Sequence, residues 1–482
     1  MSRGFQPVYS PAPRRGAPAW LVALVGLVVL VVVVAVVIMV LSGNRPTASP
    51  GPTTGGGSPA ASATPSGAPT DGGASPGPTA SAGLGTPSPT EPGPSGPPPS
   101  VDPALAAQID AVTAGIPGLR ELDRLADVPY EFIGREAFRD QLLDLYHEEV
   151  PAEVRQAEER MLKRLGLLPD DASLDELILD LYGAQVAAFY RPDNGRFYLV
   201  ERDEPFGPID QIITAHEFAH ALQDQHFDID GTRVTDTSQG DAALAQLAVL
   251  EGDATLVSQL WAVRNMTQAE MLEIVTESLA GLDEQSLEGM PQILRRQLEF
   301  PYTDGFIFVA DIYGLGGFEA VDQAHRDPPD STEQILHSDK YYAGEAPFAV
   351  SLNDISGVLG GGWQRTFEQT MGELVIQVLV AGGEEPDVAI PGLPVDWPRA
   401  EVAAGWGGDR LNMYETPDGG WAIAWQTAWD TQADADEFRV RLAELSTTFD
   451  GVSSVVAGAD AMTVSVLIAS DQPTLDALDA AL

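Results

Sequence analysis

Cysteine is absent from this chain of 482 residues, and basic residues are scarce. Without cysteine the chain forms no disulfide and carries no cysteine-linked lipid anchor, so its folded part cannot rely on cross-links for stability. Only 26 Lys and Arg stand against 71 Asp and Glu, which gives a formal net charge of -45. A surface this acidic disfavours nucleic acid and anionic lipid as partners.

Charged residues are missing altogether from residues 20–41, which are mainly Val, Leu, Ala and Ile. As a helix this stretch spans about 30 Å, the thickness of the hydrocarbon core of a bilayer. Arg3, Arg14 and Arg15 precede it, which predicts a cytoplasmic N-terminus, residues 1–19, and an extracytoplasmic remainder. A cleaved signal peptide is the alternative, but the run exceeds the usual h-region and no clear A-x-A site follows. We therefore expect a single-pass protein of the cell membrane.

Large apolar side chains are scarce in residues 42–100, which are rich in Pro, Gly, Ser and Thr. Such a composition cannot bury enough surface to fold, so it predicts a disordered linker. Beyond the linker we expect an α+β fold in two parts. A mostly helical main domain with a small β-hairpin edge occupies residues 101–383, and a small α+β subdomain occupies residues 384–482.

The main domain begins with helical periodicity and then changes to a strand pattern. Its apolar spacing predicts helices over residues 105–114, 135–146, 151–165 and 173–182. Residues 187–191 and 196–200 flank Pro192-Asp193-Asn194-Gly195, which is typical of a hairpin turn. We expect the second of these strands to be a free edge that pairs with an extended peptide.

Histidine is also rare, yet three of the six histidines lie between His216 and His226. The sequence His216-Glu217-Phe218-Ala219-His220 puts two imidazoles on one face of a predicted helix without Pro or Gly. Histidines so placed can bind one metal ion, and Glu217 can reach a water on that ion. In the alternative both histidines merely line a helix, which leaves their concentration in the chain unexplained.

A zinc site of this kind needs a third protein ligand and one open position. Glu251 lies in an apolar helical pattern, residues 241–263, where a lone carboxylate without a partner is unfavourable. Its small neighbours Gly252 and Ala254 predict close packing of this helix against the HExxH helix. Glu251 is therefore the first candidate.

His226 is the main alternative, because it follows His216 by ten residues as the third ligand of metzincins does. Gln223, however, stands where that arrangement needs a glycine for its backbone turn. Further candidates for the third ligand are Asp224, Asp228 and Asp241.

The segment HEFAHALQD with a later LEGDA resembles the gluzincins, the thermolysin-like zinc metallopeptidases, in a membrane-anchored bacterial form. The resemblance covers about residues 187–263, and it implies that His216, His220 and Glu251 bind Zn²⁺ while Glu217 is the general base. The chain departs from thermolysin in the longer spacing between its second and third ligands, and in Thr255, which stands where thermolysin has an aspartate. The second departure leaves the partner that orients His216 undetermined.

Downstream residues are candidates for a second catalytic role. Gluzincins often stabilise the oxyanion with a later His or Tyr, and His337 and Tyr341 follow a predicted turn and short helix here. Tyr302 is the next candidate, and a purely structural role for His337 is an equal alternative. The subdomain pattern predicts strands near 411–415, 421–427, 453 and 463, with helices over 432–445 and 474–482.

These residues together predict a membrane-anchored, extracytoplasmic zinc metallopeptidase that acts on a peptide or protein. The alternatives are a catalytically silent zinc-containing surface binding module and a metal-dependent hydrolase of another substrate class. Glu217 argues against the silent module, since a structural zinc site usually fills its fourth position and has no use for an unliganded carboxylate.

Overall fold

The computed structural model shows a mixed α+β protein with two sheets, which confirms the expected fold class. It describes residues 102–185, 188–201, 205–227, 229, 239–281, 290–386 and 397–481. The predicted membrane helix, 20–41, and linker, 42–100, lie outside the described residues. Within the described ranges, no helix combines the length and the apolar character that crossing a membrane requires.

Five helices form the first part of the chain. They are α1 (Pro103–Thr113), α2 (Ile116–Arg120), α3 (Arg135–Glu149), α4 (Ala152–Arg164) and α5 (Leu174–Gln185). Helix α1 begins after Asp102, whose carboxylate accepts the backbone N–H of Ala104 at 2.7 Å, a typical N-cap. Four of the five were predicted, and the single turn of α2 was not.

A three-stranded sheet follows, built from β1 (Tyr130–Ile133), β2 (Ala188–Arg191) and β3 (Arg196–Val200). The predicted hairpin joins β2 to β3, and Gly195 in its turn has φ +65°. The expectation that β3 is a free edge is wrong, because β1 pairs with its other side in parallel. Among the strands that the structure describes, β1 and β2 are therefore the outer strands of this sheet.

Three long helices make the centre of the molecule. They are α6 (Pro208–Phe227), which carries HExxH, α7 (Gly240–Asn265) and α9 (Gln292–Arg326), with α8 (Gln268–Gly281) between the last two. Helix α7 is buried on nearly every side because it packs against both α6 and α9. One continuous core joins these helices to α1, α2 and the small sheet.

Glycine allows the close approach of α7 and α9. A Cβ atom on Gly252 would lie 2.3 Å from the carbonyl oxygen of Gly305, and one on Gly305 would lie 2.3 Å from that of Ala248. The closest packing at Gly252 is thus against α9, which differs from the expected contact with the HExxH helix. The sequence pattern showed that a neighbour comes close but did not show which neighbour.

The last part of the chain contains a five-stranded antiparallel sheet. Its elements are α10 (Thr332–Leu336), α11 (Ser338–Ala343), α12 (Ser356–Leu359), β4 (Gln364–Gln369), α13 (Gly372–Ala381), β5 (Trp406–Glu415), β6 (Trp421–Trp429), α14 (Gln432–Leu445), β7 (Val452–Ala457), β8 (Thr463–Ala469) and α15 (Gln472–Ala481). The strand order is β4-β5-β6-β8-β7, so the sheet begins before residue 384.

The second core belongs to this sheet, and α4 contributes to it. Arg160 and Arg164 of α4 both donate to the Glu415 carboxylate of β5, at 2.8 Å. The N-terminal helices are therefore divided between the two cores, with α1 and α2 on the long helices and α4 on the sheet.

Candidate metal centre

Helix α6 brings His216 and His220 together on one face. Their Nε2 atoms are 2.9 Å apart, and both side chains are buried. A spacing of four residues produces this geometry, since it returns the side chain to the same face after one turn. The imidazoles meet edge to face, with ring centroids 4.6 Å apart.

Glu251 of α7 completes the group. Its Oε2 atom lies 3.1 Å from Nε2 of His216 and 3.3 Å from Nε2 of His220. Tetrahedral ligands about 2.0–2.1 Å from one zinc ion are about 3.3 Å from each other, so these separations suit a shared ion. The choice of Glu251 as the candidate third ligand agrees with this geometry.

The other candidates for the third ligand have different partners. His226 Nε2 lies 2.7 Å from the backbone oxygen of Asp123, and Asp224 accepts the hydroxyl of Tyr190 at 2.7 Å. Asp241 accepts both the hydroxyl and the backbone N–H of Thr332. The remaining candidate, Asp228, lies outside the described residues.

The chemistry of the donor set fits a cation. Nδ1 of His220 lies 2.8 Å from Oε1 of Gln223, so this nitrogen donates and Nε2 presents a lone pair in the neutral ring. That lone pair faces Nε2 of His216 and the carboxylate of Glu251. Converging lone pairs repel unless a positive charge lies among them, and nitrogen with carboxylate oxygen is a ligand set that zinc accepts.

Burial and charge set the protonation of the trio formed by His216, His220 and Glu251. Burial lowers the pKa of His216 to about 4. Burial also lowers the pKa of His220, but the Glu251 carboxylate outweighs this effect and raises it to about 9. Burial by itself raises the pKa of Glu251, whereas the neighbouring His220 lowers it below its usual value. Without a metal ion, a protonated His220 thus balances the ionised Glu251 carboxylate, and a metal ion bound there would replace that proton.

Glu217 lies next to the trio and is fully buried. Neither of its carboxylate oxygens accepts a hydrogen bond of ordinary geometry from the described residues. Burial raises the pKa of Glu217 to about 8, Glu251 adds to the effect, and His220 and the backbone N–H of Tyr190 oppose it. A buried carboxylate without such bonds is unfavourable by itself, and a water or substrate group would satisfy it.

A polar network lies behind the trio, and the sequence did not reveal it. Gln223 donates to Asp253 at 2.9 Å, and Asp253 also accepts Nε of Arg120 at 2.8 Å. Burial raises the pKa of Asp253, but Arg120 and His325 outweigh it and hold the pKa well below its usual range. The one sequence signal was a second carboxylate, Asp253, on the apolar helix that carries Glu251.

The candidates for oxyanion stabilisation are not together. The ring of Tyr302, on α9, is buried and stacks on His216 with centroids 6.3 Å apart. His337 Nε2 instead lies 3.1 Å from Glu373, and the Tyr341 hydroxyl donates to the backbone oxygen of Asp327 at 2.9 Å. In the described part of the chain, the structure brings Tyr302 to the trio and leaves His337 and Tyr341 with other partners.

A second group of carboxylates, Glu333, Glu345 and Asp430, also converges. The ammonium nitrogen of Lys340 lies 2.7 Å from Glu333, 2.7 Å from Glu345 and 2.6 Å from Asp430. Because the Lys340 ammonium already lies among the three carboxylates, the group has the character of an ion-pair cluster.

Comparisons with known proteins concern the C-terminal part of the chain. A family model described as a domain of unknown function, DUF8575, matches residues 361–479. This region contains the five-stranded sheet, and the trio lies before it in the chain. No curated protein and no solved structure matches the chain.

Proposed function

We propose that this chain is a zinc metallopeptidase that hydrolyses peptide bonds outside the cytoplasm, anchored to the cell membrane by residues 20–41. The observation that supports it is the convergence of His216, His220 and Glu251 beside the buried carboxylate of Glu217. Three protein donors, and no fourth among the described residues, suit a catalytic zinc site, in which water or substrate takes the remaining position.

The chain's own residues account for the proton transfers. A bound Zn²⁺ supplies Lewis acidity, which activates water and polarises the substrate carbonyl. Glu217 accepts a proton from the attacking water and returns it to the leaving amine, a role worth about 10²- to 10⁴-fold in rate. Its carboxylate is available for this role because the described residues do not occupy it with ordinary hydrogen bonds.

Two further features support a peptide substrate. Tyr302 stacks on His216 and is the best-placed candidate to stabilise the developing oxyanion, ahead of His337 and Tyr341. Among the described residues β2 is an edge strand of the small sheet, and its Tyr190 contacts α6 through Asp224. An extended peptide can add to such an edge as a further strand, which would hold its backbone near Glu217.

Glu217→Gln tests the proposal. The amide keeps the size of the side chain but cannot accept the proton, so we expect one zinc per chain as in the wild type and hydrolysis reduced at least about 100-fold. Zinc is measured by metal analysis, and activity is measured on a broad peptide library. The matched control is Glu333→Gln, a buried carboxylate that pairs with Lys340, and it should keep the wild-type rate.

A silent zinc-binding module is the second candidate function, and the burial of the site favours it. His216, Glu217, His220 and Glu251 are at most 2% exposed, so a polypeptide reaches them only if neighbouring segments move. Zinc-loaded wild-type protein that cleaves no peptide would favour this alternative over the peptidase. A Glu217→Gln variant that cleaves peptides as fast as the wild type would instead refute the role of Glu217 as general base.

A further inference from the structure

A buried chain of hydrogen bonds runs from His220 to the N-terminal helices. Oε1 of Gln223 lies 2.8 Å from Nδ1 of His220, and Nε2 of Gln223 lies 2.9 Å from Oδ2 of Asp253. Asp253 binds Nε of Arg120 through both oxygens, at 2.8 and 3.0 Å. None of these side chains is exposed to solvent beyond 2%.

We propose that Gln223 is a positioning residue that holds His220 in the Nδ1–H tautomer, and that Asp253 and Arg120 determine which way the Gln223 amide points. This inference rests on the proposed metal centre, because the tautomer matters only if Nε2 of His220 is a ligand. A fixed tautomer raises metal affinity, since the ring need not change tautomer or rotate before its Nε2 atom binds the metal.

The amide of Gln223 has one favourable orientation. Its Nε2 donates both to Asp253 and to the backbone oxygen of Leu250, at 2.9 and 3.0 Å. A flipped amide would place its oxygen against these two acceptors and its NH₂ group against the N–H of His220. Each of the three contacts would then become repulsive. The carboxylate of Asp253 therefore keeps the amide oxygen of Gln223, an acceptor, facing His220.

Asp253 is itself held in place from two other helices. Arg120 comes from the end of α2, and His325 comes from the last turn of α9, where its Nε2 lies 2.9 Å from Oδ2 of Asp253. The His325 ring stacks on Phe227 at the end of α6, with centroids 4.5 Å apart. The correct tautomer of His220 therefore depends on the packing of α2 and α9 around α6.

The test compares two buried glutamines, each changed to methionine. Gln223→Met keeps the volume but removes the acceptor, so we expect zinc affinity to fall about 10- to 100-fold in a chelator competition. Gln377→Met is the matched control, because Gln377 is buried and donates to the Glu373 carboxylate at 3.1 Å, away from the trio. Its zinc affinity should stay within about threefold of wild type, as for sites without a shared partner.

A second measurement uses the unmodified protein, so it holds even if Gln223→Met fails to fold. In the zinc-loaded wild type, the ring ¹⁵N shifts of His220 should show a protonated Nδ1. A protonated Nε2, or equal zinc affinities for the two variants, would overturn the positioning role. Wild-type protein that binds no zinc would instead refute the proposed metal centre itself, so the two failures are distinguishable.

Discussion

The contact between Gly252 and Gly305 offers a sharp test of how α7 is held against α9. In Gly305→Ala the added Cβ would lie 2.3 Å from the carbonyl oxygen of Ala248, closer than such atoms approach in proteins. The obstructing atoms are backbone and cannot rotate away, so α9 must move from α7 by about 1 Å, an overpacking change that typically costs about 1–3 kcal/mol.

Gly314→Ala is the matched control in the same helix. Apart from the adjoining backbone of its own helix, no atom lies within 4 Å of a Cβ at Gly314, so this variant receives only the gain in helix propensity, at most about 1 kcal/mol. Gly305→Ala also gains helix propensity, at least as much because Gly314 lies close to the interruption of the helix at Gly317, so a lower stability of Gly305→Ala reports the overpacking. A difference of about 1–3 kcal/mol corresponds to about 2–12 °C in Tm for a domain of this size.

Thermal unfolding by circular dichroism, with a chelator present, measures this difference without a contribution from metal. Gly305→Ala should also weaken zinc binding, because a displaced α7 moves Glu251 from the two histidines of α6. Equal melting temperatures for Gly305→Ala and Gly314→Ala would refute the close packing of α7 and α9.

Three further variants test the third ligand and a buried acid. Glu251→Ala should lose zinc and His226→Ala should keep it by metal analysis, because Glu251 lies beside the two histidines whereas His226 lies against the backbone oxygen of Asp123. The opposite result would favour His226 as ligand. Burial raises the folded pKa of Asp241 to about 8, so the folded chain holds a proton that the unfolded chain releases at about pH 4. In urea titrations the free energy of unfolding should fall as the pH rises from about 4 to about 8, and Asp241→Asn should reduce this fall. A variant whose free energy of unfolding depends on pH as the wild type's does would contradict this role of Asp241.

Local chemistry explains the parts of the fold that the sequence predicted. The residues from Pro192 to Gly195 form the hairpin turn because the glycine can take a positive φ. Helix α14 occupies the predicted residues because Thr431 and Asp434 form a capping box at its start. The histidine pair of α6 follows from helical spacing alone. Glu251 was predictable as a candidate metal ligand because a carboxylate without a partner is unfavourable on an apolar helix.

Other features depend on contacts between residues far apart in the chain. Strand β1 has four residues and becomes a strand only because β3 lies beside it, which is why β3 is not an edge. The same applies to Gln223 and Asp253, whose hydrogen bond joins positions thirty residues apart on two helices. Periodicity and spacing indicate the face on which a side chain lies, whereas the packing of α2, α6, α7 and α9 decides which side chain it meets. The sequence by itself therefore determined the candidate ligands, and only the tertiary structure determined the residues that orient and bury them.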